Sequence, residues 1–258
     1  MKIAVLYICT GVYNQFFSGF YQSAHQFFFK GTADVEYFVF TDDKELSSAP
    51  DVHLFEKKFE GFPKDSLFRF DMFLSIGERL QPFDYLFFFN ANMLFVAPVG
   101  EEILPKDEKL AAVLHPGYYN KPAFLYPYER NKQSTAYIPP LSNDYHYYMG
   151  SLNGGKTADF LELARVCSEN IHKDYDQGIV AIFHDESHLN RNFRAHPCKG
   201  LLPCFAYPEG SKLPFSPKII IRDKEKIATY FKKGRDYTLS GRMKHGLSIL
   251  RRAIGWYI

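Results

Sequence analysis

The 258-residue chain is poor in the features that mark several large protein classes. Its four cysteines, Cys9, Cys167, Cys198 and Cys204, form no C-x-x-C pair, which speaks against a zinc ribbon or a disulfide framework and leaves four reduced thiols. No stretch reaches the roughly 18 consecutive apolar residues of a membrane span. The start, Met1-Lys2-Ile3-Ala4-Val5-Leu6-Tyr7-Ile8, has neither the long apolar region nor the small-residue cleavage site of a signal peptide, so the chain is expected in the cytoplasm. Neither G-x-G-x-x-G nor G-x-x-x-x-G-K-[ST] occurs, which removes a dinucleotide fingerprint and a P-loop. A formal charge of only +2, from 31 Lys and Arg against 29 Asp and Glu, argues against a nucleic-acid binder. With 46% hydrophobic and 23% charged residues the chain is neither disordered nor fibrous, and its length suits one α/β unit.

What it has in excess is aromatic: 26 Phe, 18 Tyr and one Trp, 17% of the residues. Its charge is also unevenly placed. From Phe215 to Ile258 there are 11 Lys or Arg against 3 Asp or Glu, net +8, which leaves 20 against 26, net −6, for residues 1–214. The apolar run 3–8 reads as a strand buried on both faces. Aromatics at three- and four-residue spacing from Tyr13 to Phe28 predict an amphipathic helix with Gly31 beyond its end. Residues 35–41 and 85–89 read as further strands, 66–80 as a helix between them, 110–115 as a strand and 157–171 as a helix that follows a flexible Gly154-Gly155. Strands alternating with helices imply right-handed βαβ units and a mainly parallel sheet. The Pro- and Tyr-rich segment 118–148 reads as a long irregular stretch, which inside a compact domain is usually functional.

In open α/β sheets ligands bind beyond the carboxyl ends of the strands, which directs attention to three places. Ile8-Cys9-Thr10-Gly11 ends the first strand; the alternative there is an ordinary βα turn. Phe89-Asn90-Ala91-Asn92 ends another, and strand alternation puts both amides on one side, where two carboxylates would be a metal-binding D-x-D. Asn is a neutral, weak ligand for a hard cation, so the pattern reads as hydrogen bonding without a metal, or as a satisfied turn. His184-Asp185-Glu186-Ser187-His188-Leu189-Asn190 follows an apolar run and offers a catalytic carboxylate. Its histidines are spaced i, i+4 as in a zinc helix, but the acids are shifted relative to H-E-x-x-H; a solvated helix start is the other alternative.

Taken together these strings resemble glycosyltransferase family 6, the α-1,3-galactosyl- and α-1,3-N-acetylgalactosaminyltransferases that include the histo-blood-group A and B enzymes. Residues 37–42 (YFVFTD), 114–119 (LHPGYY), 128–130 (YER), 134–139 (STAYIP), 147–155 (YYMGSLNGG) and 184–190 (HDESHLN) are similar to the family's strings in the same order. Asn90-Ala91-Asn92 in place of D-x-D is similar to the bacterial branch.

The resemblance implies a GT-A fold, an α/β architecture with a Rossmann-like first part, and a hexosyltransferase working with retention of configuration. The catalytic domain is expected over residues 1–214, with 215–258 a basic segment that closes on the donor site. By position, Ile8, Cys9, Thr10 and Tyr13 match the uridine-binding segment and Arg69 an arginine near the donor sugar. Asn90 and Asn92 match the metal-binding acids and Ala91 the residue between them. Met149, Gly150 and Ser151 match the stretch that selects the donor. His115, Phe183 and Glu186 match acceptor-site residues, Asp185 a donor-sugar contact and Glu186 the candidate nucleophile.

With both acids replaced, Mn²⁺ is not expected and no other cofactor is implied. The charge that develops on the departing UDP then needs another cation; Arg222, Lys224, Lys226, Lys232, Lys233 and Arg235 are candidates, Lys224 the first choice. The expected donor is UDP-GalNAc, from small, polar Ser151, with UDP-Gal as the alternative from Met149. The expected acceptor is a fucosylated galactoside of the H-antigen type, and a non-catalytic carbohydrate-binding protein is the alternative from another class. Met243, Leu247, Leu250, Ile254 and Ile258 recur at helical spacing among basic residues. That pattern predicts an amphipathic helix for the inner face of a membrane or, alternatively, for the body or a twin subunit.

Overall fold

The computed structural model describes residues 1–140, 145–228 and 230. The apolar run at the start forms β1 (Lys2–Ile8), followed by a 3₁₀ turn at Gly11–Phe16 and α1 (Phe17–Phe27). Then come β2 (Asp34–Thr41), β3 (Val52–Glu56), three short helices α2 (Lys64–Leu67), α3 (Arg69–Ser75) and α4 (Gly77–Leu80), and β4 (Tyr85–Phe89). Next are β5 (Met93–Phe95), β6 (Leu110–Leu114), β7 (Tyr148–Lys156), α5 (Thr157–Asp176), α6 (His184–Ala195) and β8 (Cys198–Leu201). The last described elements are β9 (Tyr207–Pro208), β10 (Ile219–Ile221) and α7 (Lys224–Ile227).

Among the described residues, seven strands make one sheet in the order β3-β2-β1-β4-β7-β6-β8. All its neighbours run parallel except β7, which is antiparallel to both β4 and β6. Two corrections to the sequence reading follow. The helix expected over 66–80 is broken into three pieces, at Phe68 and Ile76, whose backbones leave helical geometry. Gly154 and Gly155 are not a flexible lead-in to α5. They lie inside β7, where a Cβ on Gly154 would strike the Phe87 ring and the Leu86 carbonyl of β4, and one on Gly155 the Lys109 carbonyl. Glycine is what lets these strands come together.

The phenylalanine surplus fills both faces of this sheet. On one side Phe16, Phe17, Phe20 and Ala24 pack on Tyr7, Phe87 and Phe89, with the Phe20 ring stacked 4.5 Å from Tyr7 and 5.8 Å from Phe89. On the other, Phe70, Phe73, Phe160 and Leu163 cover Leu6, Phe38 and Phe88. Each such side chain contributes about 1.5–3 kcal/mol of burial. A second sheet of three short strands, β5-β10-β9, lies at the carboxyl end of β4. Its strands β9 and β10 straddle the boundary expected at residue 214, so the first part of the basic segment is paired with the body. Lys232, Lys233, Arg235 and the amphipathic pattern of 241–258 lie outside the described residues.

Candidate active site

A cavity of about 410 Å³ opens where β1 and β4 end. Ile8 and Thr10 line it while Cys9 does not, because consecutive residues of an extended chain point to opposite sides. Cys9 lies fully buried in the α1 core, where burial pushes its thiol up to about 12. Its side chain therefore belongs to the core and not to the cavity wall. The turn after β1 is pinned by Asp42, whose carboxylate accepts the Gly11 N–H at 2.9 Å and the Asn14 amide at 2.8 Å. Tyr13 lines the cavity from the turn that follows.

Asn90 and Ala91 also line the cavity, but Asn92 does not. The chain leaves β4 after Phe89 and turns, so the alternation that would put both amides on one side stops there. Tyr7 Oη donates to the Ala91 carbonyl at 2.7 Å, and the Asn90 N–H donates to the Ser151 carbonyl at 2.8 Å, which fixes the turn from both neighbouring strands. Asn92 is 3% exposed and its Nδ2 donates to the Arg222 carbonyl at 2.8 Å.

Among the described residues, the basic segment brings one cation to the cavity. Lys224, at the start of α7, lines it, with Nζ 4.7 Å from the centre of the Tyr13 ring and 3.4 Å from its hydroxyl. The other described candidates point elsewhere: Arg222 lies 5.5 Å over the Phe16 ring and Lys226 is 3.5 Å from Glu209 Oε1.

Arg69 links this cavity to the carboxylates of α6. It is 3% exposed, donates from Nη1 to the Gly150 carbonyl at 2.8 Å and lies 4.4 Å over the Phe88 ring. Its Nη2 is 3.1 Å from Asp185 Oδ2, an ion pair without hydrogen-bond alignment. Burial raises the Asp185 carboxyl although Arg69 opposes it. Glu186 accepts on both oxygens, from Tyr147 Oη at 2.6 Å and from the Gly150 N–H at 2.7 Å. Burial pushes its pKa up to about 7, with these two hydrogen bonds opposing and the Asp185 charge adding to the rise. His184, first residue of α6 and directly ahead of both carboxylates, sits at φ +51, a left-handed conformation uncommon outside glycine.

Tyr147 also marks the edge of an aromatic wall. Its ring is 5.7 Å from His115, 5.3 Å from Tyr118 and 5.5 Å from Tyr128. Burial lowers the His115 pKa to about 4, so the ring is neutral at pH 7, and its Nδ1 accepts the Gly117 N–H at 3.0 Å. Phe183 is 39% exposed just ahead of α6, held by its N–H to Ser187 Oγ at 3.0 Å. Met149 packs partly buried against the core, and Ser151 is 2% exposed with its hydroxyl unpartnered among the described residues. The arrangement is an open cavity with a lysine at one wall, connected through Arg69 to a doubly hydrogen-bonded carboxylate beside an aromatic surface.

The Glycosyltransferase family 6 profile matches residues 1–228. The chain belongs to glycosyltransferase family 6. It is 36% identical over 232 residues to the O-antigen biosynthesis glycosyltransferase WbnI of Escherichia coli, 89% of this chain and 98% of that protein. It is 36% identical over 233 residues to the globoside alpha-1,3-N-acetylgalactosaminyltransferase 1 of Gallus gallus, with 86% and 65% covered. With the histo-blood group ABO system transferase 2 of Rattus norvegicus it shares 33% over 207 residues, with 76% and 60% covered. The chain thus spans under two thirds of the length of these two animal proteins. As a family 6 member it is a glycosyltransferase, and its largely parallel seven-stranded sheet fits the GT-A fold. That family membership removes the non-catalytic alternative. Among the described residues no helix is long and apolar enough to cross a membrane.

The resemblance brings a divalent cation with it, and the residues of this family 6 enzyme do not fit one. Two neutral amides, weak ligands for a hard cation, replace the acids, and Asn92 does not line the cavity. The carboxylate that does line the cavity, Asp65, is 3.0 Å from Lys57 and accepts the Gly61 N–H.

Several residues at the site escaped the sequence reading. Phe59 and Phe62 line the cavity, 38% and 66% exposed. Two aromatics in the short polar stretch 57–64, with a Gly-Phe-Pro, were the available signal. Tyr147, which bonds Glu186, precedes the donor-selecting stretch within a string already singled out. Asn190 holds α6 to β7 by bonds to both the N–H and the carbonyl of Tyr148. Glu129 accepts the Ile182 N–H at 2.7 Å and so braces the approach to Phe183. Nothing local to Glu129 announces that role, since its partner is 53 residues away.

Proposed function

We propose that this family 6 enzyme transfers N-acetylgalactosamine from UDP-GalNAc, in α-1,3 linkage and with retention, to the galactose of a fucosylated, H-antigen-like acceptor, without a divalent metal. The observation that carries the reading is the placement of Lys224 on the cavity wall with Asn90 and Ala91, where the family's acids would hold the cation. As the bond between the anomeric carbon and the β-phosphate oxygen breaks, its electron pair leaves with UDP. A fixed ammonium at this wall stabilises that developing charge. The anomeric carbon gains oxocarbenium character, Glu186, anchored by Tyr147 and Gly150, supplies the opposing carboxylate, and the acceptor's 3-hydroxyl oxygen bonds the anomeric carbon on the face UDP left, its proton passing to the departing β-phosphate. Asp185 and Arg69 are assigned to the donor sugar, His115 and Phe183 to the acceptor.

The choice of GalNAc is supported by small, polar Ser151 in the donor-selecting stretch, which leaves more room for an acetamido group than a bulky residue would. Two of the relatives' names point the same way, since the Gallus gallus and Homo sapiens proteins are alpha-1,3-N-acetylgalactosaminyltransferases. Met149 favours the second reading, UDP-Gal, because its bulk narrows the same stretch. The deciding experiment offers both donors together to fucosylated and plain galactosides, with excess EDTA and with Mn²⁺. GalNAc transfer to the fucosylated acceptor at the same rate in EDTA is expected; strong activation by Mn²⁺ rejects the metal-free reading, and preferential galactose transfer rejects the donor. We also propose that the basic segment beyond residue 240 makes peripheral contact with an anionic membrane face.

A further inference from the structure

Lys224 reaches the cavity because of where the chain ahead of it is tied down. β10 pairs with β5 in the register Ile219↔Phe95, Ile220↔Leu94, Ile221↔Met93. The named ladder ends there, one residue short of Arg222, and Asn92 continues it. The Arg222 N–H donates to the Asn92 carbonyl at 2.8 Å, and Asn92 Nδ2 donates to the Arg222 carbonyl at 2.8 Å. Both backbone polar groups of Arg222 are thus satisfied by one residue. The next N–H, of Asp223, donates to Glu209 Oε2 at 2.7 Å, and the Asp223 side chain accepts the Glu225 N–H and starts α7 at Lys224. From Asn92 to the ammonium over Tyr13 the chain therefore has a fixed path two residues long.

We infer that Asn92 is a positioning residue: at the place where the resemblance puts a second metal ligand, this enzyme has an anchor for the C-terminal segment, and the contribution of Asn92 to transfer passes through Lys224. The chemistry requires an amide rather than an acid. An aspartate has no donor for the Arg222 carbonyl and would set a carboxylate oxygen against it, in a site that is 3% exposed and gives little screening. The inference rests on the reading of Lys224 as the cation that meets the diphosphate.

The test compares Asn92→Ala, Asn92→Asp, Lys224→Ala and the Asn92→Ala/Lys224→Ala double variant in donor-dependent turnover with EDTA. Hydrogen exchange over residues 219–228 and thermal unfolding are followed alongside. Loss of the preorganised cation is expected to lower kcat about 100-fold in Lys224→Ala. Loss of one buried hydrogen bond is expected to lower kcat about tenfold in Asn92→Ala, with acceptor KM unchanged. The double variant should be no slower than Lys224→Ala, since residues acting through one another are not additive. Asn92→Asp should be impaired and unresponsive to Mn²⁺, and exchange at 219–228 should quicken in both Asn92 variants while β1 and β4 stay protected. If Asn92→Ala does not fold, Asn92→Asp, which keeps the side chain's size and removes its donor, carries the same comparison alone and combined with Lys224→Ala. Multiplied losses in the double variant, Mn²⁺-dependent activity in Asn92→Asp, or unchanged exchange at 219–228 overturn the anchor alone. Full turnover by Lys224→Ala removes the reading on which it rests.

Discussion

Glu186 is held in two ways that pull apart. Hydrogen bonds from Tyr147 and the Gly150 N–H favour its charged form, while burial and Asp185 favour the neutral one, and the balance leaves its pKa at about 7. A carboxylate that must meet a cationic anomeric carbon works only when ionised, so kcat/KM should rise with pH between 5.5 and 8.5 about an apparent pKa near 7; a flat profile would rule Glu186 out as the titrating group. Stability runs the other way. The folded pKa lies above the unfolded value, so the folded form's extra proton affinity stabilises fully below about 4.5 and is lost as pH rises through about 7. Glu186→Gln should therefore cut transfer by orders of magnitude while unfolding about 1–3 kcal/mol later than the wild type at pH 8, by denaturant titration. Near-normal turnover by that variant rejects the assignment. At this scale the carboxylate was legible because H-D-E-S-H-L-N is a distinctive string, whereas its partner Tyr147, 39 residues distant, was not. Asn92 was misread because strand alternation was carried past the point where the chain turns.

Among the elements, those with a continuous apolar run were readable: β1, β2, β4 and β6 fall within a residue of their expected bounds. β7 was not, because its sequence, Y-M-G-S-L-N-G-G-K, has neither alternation nor β-branched side chains. It is a strand because it lies between β4 and β6, where small residues admit close approach, and that is tertiary information. The short strands β5, β9 and β10 carry too few residues for any periodicity, yet they fix the segment that bears Lys224. The position of β7 predicts a contrast between two glycines. Gly154→Ala drives a methyl group into the Phe87 ring and the Leu86 backbone, which cannot yield as a flexible side chain would. It should cost at least about 3 kcal/mol in urea unfolding. Gly77→Ala, in α4 with open space around the added Cβ, should be neutral or stabilise by up to about 1 kcal/mol. Equal effects at the two sites would contradict the tight β4–β7 pairing.

Across the whole molecule the near-neutral total conceals a sorting of charge. Of the basic residues after 214, the described ones are engaged with the body: Lys218 with Glu102 at 2.6 Å, Lys226 with Glu209, Arg222 over Phe16 and Lys224 over Tyr13. The remainder, residues 229–258, holds seven Lys or Arg against one Asp. That remainder carries most of the segment's positive charge, and at an anionic surface each cation contributes about 1 kcal/mol. The single tryptophan, Trp256, falls within it and makes a built-in reporter, since indole rings settle at the membrane interface. Vesicles containing phosphatidylserine should shift Trp256 emission to the blue and co-sediment the protein, with both effects fading as salt rises; uncharged phosphatidylcholine vesicles should do neither. A chain ending before Gly241 keeps every described element and should stay in the supernatant with its transfer to a soluble acceptor intact. Unchanged sedimentation of that shorter chain would dismiss the membrane role. A drop from dimer to monomer on shortening, read by size-exclusion chromatography with light scattering, would assign the segment beyond residue 240 to a second copy instead.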